Sequence, residues 1–206
     1  MSKEQSLNIA ILPDENTQRE AIEMSEKIAQ SVSSEFVLDG KNFYPHISVY
    51  QAHYPLKNLE KLKKAVALLA TSTPASIHLQ SFDIAYGVWT FWNCVDDGRL
   101  IKLHNTAVKA ANPLREGLIM PQLADRPGLS ADDKSDIQSY GSLLIGPRYR
   151  PHITLTRLSS ESDESRVREL LGQEKAVRFK PRSLILGYLG DHGTVIGIIE
   201  EFPLGS

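Results

Sequence analysis

The chain alternates between short apolar runs and longer segments whose apolar residues have helical spacing. Residues 7–12 form an apolar run that ends at Pro13, and residues 14–33 carry apolar side chains three or four positions apart. The same order returns in residues 46–50, which alternate, and in residues 56–70, which have apolar residues on one face and lysines on another. A period of two predicts strands, and spacings of three and four predict helices. The N-terminal part is therefore predicted to form two successive strand-and-helix units.

The central part of the chain contains successive strands without helices between them. The pattern predicts strands at residues 77–79, 82–86 and 89–95 and a helix at residues 100–111. After residue 146 it predicts a strand, a helix, a strand or bent pair of strands, and a final strand, at residues 151–158, 161–171, 176–187 and 193–202. Consecutive strands favour the α+β class over a doubly wound parallel sheet. We expect one α+β domain over residues 1–206, made of two sheet-and-helix halves.

Residues 112–146 interrupt this order. Prolines and glycines break any period there, and only residues 130–140 are predicted to form a capped helical turn or two. We interpret the segment as an insertion, or lid, over the functional site.

Charge and cysteine content restrict the class of protein. The chain has 206 residues, and its 23 basic and 25 acidic side chains nearly cancel, which argues against binding of long nucleic acid by charge alone. A nucleotide or a short RNA end fits better as a partner. The single cysteine, Cys94, allows no internal disulfide and favours a cytoplasmic location. No targeting peptide and no apolar run of about 20 residues is found, so we expect no membrane contact. No obligate protein partner is indicated, and we expect a monomer.

Two tetrapeptides have almost the same sequence: Pro45-His46-Ile47-Ser48 and Pro151-His152-Ile153-Thr154. Each opens a predicted strand, one in each half of the chain. Side chains two apart on a strand point to the same face, so each histidine projects together with the hydroxyl that follows it, and each isoleucine points into the core. The preceding proline fixes the backbone before the histidine and suits the first residue of a strand.

This pair of motifs fits the chemistry of phosphodiester cleavage. One histidine can accept a proton from the nucleophile while the other donates one to the leaving oxygen. The hydroxyls of Ser48 and Thr154 can donate to the non-bridging phosphate oxygens. The arrangement requires neither a metal ion nor a cofactor. Either motif alone is more typical of a satisfied polar residue, but the matched pair favours catalysis.

His46-Ile47-Ser48 and His152-Ile153-Thr154 resemble the paired motifs of the two-histidine phosphoesterase superfamily, in which a histidine, an apolar residue and a serine or threonine follow each other. The superfamily includes the 2'-5' RNA ligase-like proteins and cyclic nucleotide phosphodiesterases. The resemblance implies a bilobal, pseudo-twofold-symmetric α+β fold, with two antiparallel or mixed sheets and outer helices around a central groove. It also implies metal-independent hydrolysis or transesterification of 2',3'-cyclic or 2'-5' phosphodiester bonds, with His46 and His152 as catalytic residues and Ser48 and Thr154 as phosphate-binding residues.

Other residues near the motifs are candidates for binding the rest of a substrate. Arg150 has the parity of His152 along the strand and is predicted to contact phosphate, whereas Arg157 is expected on the opposite face if the strand stays regular. Residues 187–191 form a link, or a hairpin, that can border the groove. Aromatic side chains that can stack on a nucleobase are Tyr44, Tyr50, Tyr149, Trp89, Phe91 and Trp92. The remaining histidines lack the matching hydroxyl and are interpreted as structural: His53, His78, His104 and His192.

Three alternatives remain open at the level of sequence. The groove can bind a nucleotide or RNA end without turnover. A metal-dependent hydrolase can instead combine histidines with scattered aspartates, such as Asp83, Asp96 or Asp191. Finally, the two motifs can be remnants of a duplication that now serve only the fold.

Overall fold

The computed structural model of the protein describes residues 3–95, 97–172 and 174–204. Within these ranges the chain alternates strands and helices in an α+β order, as predicted. The strands are β1 Glu4–Leu12, β2 Ile47–Pro55, β3 Ile77–Ala85, β4 Trp89–Val95, β5 His152–Arg157, β6 Glu174–Phe179, β7 Ser183–Leu189 and β8 Val195–Pro203. The helices are α1 Glu15–Ser31, α2 Leu59–Ala70, α3 Arg99–Ala111, α4 Pro121–Ala124, α5 Ala131–Tyr140 and α6 Glu164–Leu171. None of the helices in these ranges is long and apolar enough to cross a membrane.

The described strands form one antiparallel sheet in the order β6-β3-β4-β5-β2-β1-β7-β8, where the sequence led us to expect two sheets. The two central strands, β2 and β5, share a single residue pair, Ile47 with Ile153, whereas the outer neighbours pair over much longer stretches. Both strands begin near this pair and run away from it in opposite directions. One pair therefore joins two four-stranded halves into a continuous sheet.

Most predicted elements are present, with shifted ends. β2 continues to Pro55 instead of ending at residue 50, because it pairs with β1 along its whole length. The predicted strands at residues 77–79 and 82–86 are one strand, β3, with an irregularity in its pairing. The segment predicted as a strand or bent pair at residues 176–187 is two strands, β6 and β7, which lie in different halves of the sheet.

Local sequence sets several helix ends. Asp14 caps α1 by accepting a hydrogen bond from the backbone N–H of Thr17 at 2.8 Å, and Ser130 and Asp133 form a reciprocal capping box at the start of α5. Gly141 ends α5 with φ of +67°, a conformation that favours glycine. These signals explain why a helix forms at residues 131–140, inside a segment with no clear apolar period.

The insertion at residues 112–146 is folded and has its own small apolar cluster. Met120, Leu123 and Ile137 are buried there together with Leu189 of β7. Leu189 lies two positions beyond Gly187, which pairs with Asn8 of β1, so the insertion contacts the sheet face on which Asn8 lies. Arg115, which is 3 % exposed, donates to the carbonyl oxygens of Leu118 and Gln138 and ties the insertion together.

Candidate active site

The two matched motifs meet where β2 and β5 join. Antiparallel register extends the pair of Ile47 with Ile153 by one residue each way, which sets Ser48 opposite His152 and His46 opposite Thr154. Ile47 and Ile153 are completely buried, as predicted, so the histidines and hydroxyls occupy the other face of the sheet. The structure thus brings all four predicted catalytic and phosphate-binding residues to one place.

Both histidines are held in the same way. Nδ1 of His46 lies 2.7 Å from the carbonyl oxygen of Tyr44, and Nδ1 of His152 lies 2.6 Å from the carbonyl oxygen of Arg150, each two residues earlier in the chain. A carbonyl oxygen only accepts, so Nδ1 must carry the hydrogen in both rings. In a neutral imidazole the other nitrogen, Nε2, is then an acceptor. Each ring is fixed in the tautomer that a general base requires.

Burial keeps both imidazoles neutral. It lowers the pKa of His46, against the opposing effect of hydrogen bonding to the backbone of Tyr44 and Gly193, which favours the protonated ring. It lowers the pKa of His152 to about 4, opposed by the Arg150 carbonyl and assisted by the nearby charge of His46 in its protonated form. The electrostatic effect of one ring on the other is consistent with their placement at a common site. Near neutral pH both rings are bases in the free protein.

Ser48 has a partner that sequence reasoning missed. Nδ2 of Asn8, on the adjacent strand β1, donates to Oγ of Ser48 at 2.8 Å. Asn8 has no exposed surface and lies between Leu7 and Ile9 in the strand that was interpreted simply as an apolar run. A polar residue inside a buried strand needs a hydrogen-bonding partner, and this was the signal available in the sequence.

Aromatic rings continue from His152 along β4. The ring of Phe91 lies 3.8 Å from that of His152, and Trp89 follows with its ring 6.4 Å from Phe91. The guanidinium of Arg157 lies 5.7 Å from the centre of the Trp89 ring, on the same face. Arg157 was expected on the opposite face only in a regular strand, and β5 is irregular here. Thr154 pairs with Phe91 and Thr156 with Thr90, so Leu155 is an extra residue that reverses the alternation.

The hairpin between β7 and β8 reaches this aromatic row from the other half of the sheet. The imidazole of His192 stacks on Phe36 at 6.2 Å and meets Trp89 edge-on at 5.9 Å. Val195 packs directly over Gly187, where an added Cβ would lie 2.8 Å from Cγ1 of Val195, so β7 requires glycine at that position. The segment predicted as a link bordering the groove thus lies against both halves of the sheet.

The other predicted substrate contacts have different surroundings. Tyr44 is partly buried in the apolar cluster of Ala10, Leu12, Ile185 and Val195. Arg150 is exposed next to His152, and Trp89 is partly exposed.

Tyr50 and Tyr149 belong to the core instead. Tyr50 is 2 % exposed, and its hydroxyl donates to the carbonyl oxygen of Tyr140 at 2.6 Å. Tyr149 is 7 % exposed and donates to the carbonyl oxygen of Ser48 at 3.0 Å. The prediction that they stack on a substrate is wrong, because both rings are buried. In β2 an extra residue at Val49 turns Tyr50 to the core face.

One of the histidines interpreted as structural, His104, contacts the site from the core face of the sheet. His104 of α3 is 1 % exposed, stacks on Tyr149 at 4.0 Å, and has Nδ1 2.7 Å from the carbonyl oxygen of Val49. His53 of β2 contacts Ser6 of β1. Tyr149 and His104 therefore bind the backbone carbonyls of the last residue of the first motif, Ser48, and of the next residue, Val49.

Metal-ligand geometry is absent from the part of the chain that is described, where no three His, Cys, Asp or Glu side chains converge. Of the three aspartates considered in the metal-dependent alternative, Asp83 lies 3.5 Å from Arg168 and Asp191 is exposed in the β7–β8 hairpin. Asp96 lies outside the described residues.

Comparison of the chain with protein-family models and with curated proteins found no match.

Proposed function

We propose that the protein is a metal-independent phosphodiesterase that uses His46 and His152 as its acid-base pair. One observation carries the proposal: two near-identical motifs from distant parts of the chain meet at one residue pair, with both Nδ1 atoms bound to the carbonyl two residues earlier. A strand pair that only served the fold would not need two histidines in the same tautomer on the same face.

The proposed reaction needs one proton accepted and one donated. Nε2 of one histidine accepts the proton of the attacking water or hydroxyl, and Nε2–H of the other gives its proton to the leaving oxygen as the P–O bond breaks. Both rings are neutral in the free protein, so one must gain a proton when the substrate binds. The negative charge of the phosphodiester favours that protonation, because an adjacent anion raises the pKa of an imidazole.

Two hydroxyls support the developing charge in this proposal. Ser48 and Thr154 stand opposite His152 and His46 in the register, so a phosphate between the histidines also lies between the hydroxyls. Donors that are already in place stabilise the transition state without reorganisation, and loss of one typically costs about 10²–10³ in rate.

We propose 2',3'-cyclic or 2'-5' linked nucleotides, or RNA ends, as the substrate class. The row of Phe91 and Trp89 beside His152 provides aromatic faces for a nucleobase, and Arg157 adds a positive charge over Trp89. Four strands also lie on each side of the β2–β5 junction, which supports the bilobal arrangement that the motifs imply.

The test is hydrolysis of 2',3'-cyclic nucleotides and short 2'-5' linked oligonucleotides in excess chelator. We expect turnover by the wild type, and a loss of about 10²–10⁴-fold in both His46→Ala and His152→Ala. His78→Ala, on β3 outside the site, is the matched control and should retain wild-type rates.

Each other outcome identifies a different function. Activity that chelator abolishes would support a metal-dependent hydrolase. Micromolar binding of a cyclic nucleotide without turnover would support a binding protein. Full activity in both histidine variants would leave the motifs with a purely structural role.

A further inference from the structure

Asn8 is the one completely buried amide side chain in contact with a proposed phosphate-binding residue within the described ranges. It lies in β1 with 0 % exposure, and its neighbours Leu7, Ile9 and Ile11 are apolar core residues. Burying an amide in such a place costs stability when it is poorly paired. A valine or leucine would suit the strand better, so the amide needs an explanation beyond the fold.

The shape of β2 brings Ser48 to this amide. Ile9 pairs with Tyr50 but Ala10 pairs with Ser48, so Val49 is an extra residue in β2. Asn8 and Ala10 share one face of β1, and Ser48 therefore lies on the same face as Asn8. The resulting contact, Nδ2 to Oγ at 2.8 Å, joins the adjacent strands β1 and β2 on this face.

The direction of this hydrogen bond determines what Ser48 can do. A hydroxyl has one hydrogen and two acceptor positions, and the amide hydrogen of Asn8 occupies one acceptor position. The hydroxyl hydrogen of Ser48 is then left for a different acceptor. In this orientation Oδ1 of Asn8 is buried without a hydrogen-bond partner among the described residues, whereas in the reversed orientation Oδ1 would take the hydrogen of Ser48 and both amide hydrogens would lack an acceptor.

We propose that Asn8 is a positioning residue that orients the hydroxyl of Ser48 so that its hydrogen points to a non-bridging oxygen of the bound phosphodiester. This inference rests on the proposed function of the site. Asn8 does not touch the substrate, and it acts only through Ser48. A carboxylate in the same place would have the opposite effect, because it would accept the hydrogen of Ser48.

The near-isosteric Asn8→Asp variant tests the direction of the bond. At pH 8 we expect kcat/KM to fall about 10–10³-fold, toward the level of Ser48→Ala, because a transition-state donor is lost. Burial raises the pKa of a carboxyl, so acidification protonates the introduced side chain and lets it donate to Ser48 again. The rate relative to the wild type should therefore recover as the pH is lowered.

A double-mutant cycle separates this role from altered packing and from the new charge. Asn8→Asp and the uncharged Asn8→Leu are each combined with Ser48→Ala, and kcat/KM is measured for all six proteins, with urea unfolding as the check on folding. If Asn8 acts through Ser48, either Asn8 substitution should change kcat/KM less than threefold once Ser48 is alanine. Asn8→Leu keeps the test valid if the buried aspartate prevents folding.

Three results decide the inference. Equal losses with and without the Ser48 hydroxyl, or no loss in either Asn8 variant, would overturn it while leaving the phosphodiesterase intact. Calorimetric binding of a nucleoside 2'-monophosphate to the same proteins provides a second readout, in which the same lack of additivity is expected. A wild type that neither turns over a phosphodiester nor binds this monophosphate would overturn the function and the inference together.

Discussion

The depressed pKa of His152 predicts a specific loss of stability in mild acid. An unfolded histidine has a pKa near 6.5, and in the fold that of His152 is about 4. Between these values the unfolded chain binds a proton at His152 and the folded chain does not. Protonation therefore favours unfolding, and the free energy of unfolding should decrease as the pH falls from about 6.5 to about 4.

The size of this effect follows from the two pKa values. One pKa unit corresponds to about 1.4 kcal/mol, so the full difference is about 3 kcal/mol. Part of the His152 ring is exposed to solvent, which screens the effect, and we expect about 2–3 kcal/mol. The effect should be complete below pH 4, where His152 is protonated in both the folded and the unfolded state.

Urea unfolding at a series of pH values measures this directly. The difference in unfolding free energy between His152→Gln and the wild type should shift by about 2–3 kcal/mol in favour of the variant between pH 7 and pH 4. Ser48→Ala changes the same site without removing a titrating group, and its curve should run parallel to that of the wild type. If the unfolding free energies of His152→Gln and the wild type also changed in parallel with pH, within about 0.5 kcal/mol, the argument from burial would be refuted. This margin is typical for independent sites.

Three further predictions concern the ligand and the core. Binding of a phosphate ester near pH 6.5 should take up as much as one proton, because the anion favours a protonated imidazole. Calorimetry in buffers of different ionisation enthalpy measures this uptake, and a binding enthalpy independent of the buffer would contradict it. Trp89→Ala should raise KM for a cyclic nucleotide about 5–100-fold, which corresponds to the loss of one stacked base. KM for a base-free ribose 2',3'-cyclic phosphate should not change, and equal effects on both substrates would exclude stacking. Tyr50→Phe should reduce the free energy of unfolding by about 1–3 kcal/mol, because the Tyr140 carbonyl loses its partner, and should leave KM unchanged. A raised KM with unchanged stability would instead support a contact between Tyr50 and the substrate.

Short-range regularities in the sequence predicted the parts of the site that depend on neighbouring residues. The alternation of side chains along a strand correctly placed Ile47 and Ile153 in the core and the histidines on the other face. The same alternation failed for Arg157, because Leu155 is an extra residue in β5. Such a bulge depends on the partner strand as well as on the strand itself, so parity counted along one strand could not reveal it.

The contacts that complete the site come from distant parts of the chain. Asn8 binds Ser48 across two strands, and His192 reaches Trp89 from the opposite half of the sheet. Neither pair has a local pattern, because each depends on which strands become neighbours. Tyr50 is the opposite case, because its position beside the motif suggested a contact with substrate. In the structure it is buried against the insertion and has a structural role instead.

The sequence by itself determined the α+β class, most of the strands and helices, and the two matched motifs, because propensity and periodicity act over a few residues. The tertiary structure decided that β2 and β5 meet at one pair, that a single sheet joins the two halves, and that Asn8 lies beside Ser48 on the adjacent strand. Those features depend on strand order and register, which are set by the packing of the whole core and by no single segment.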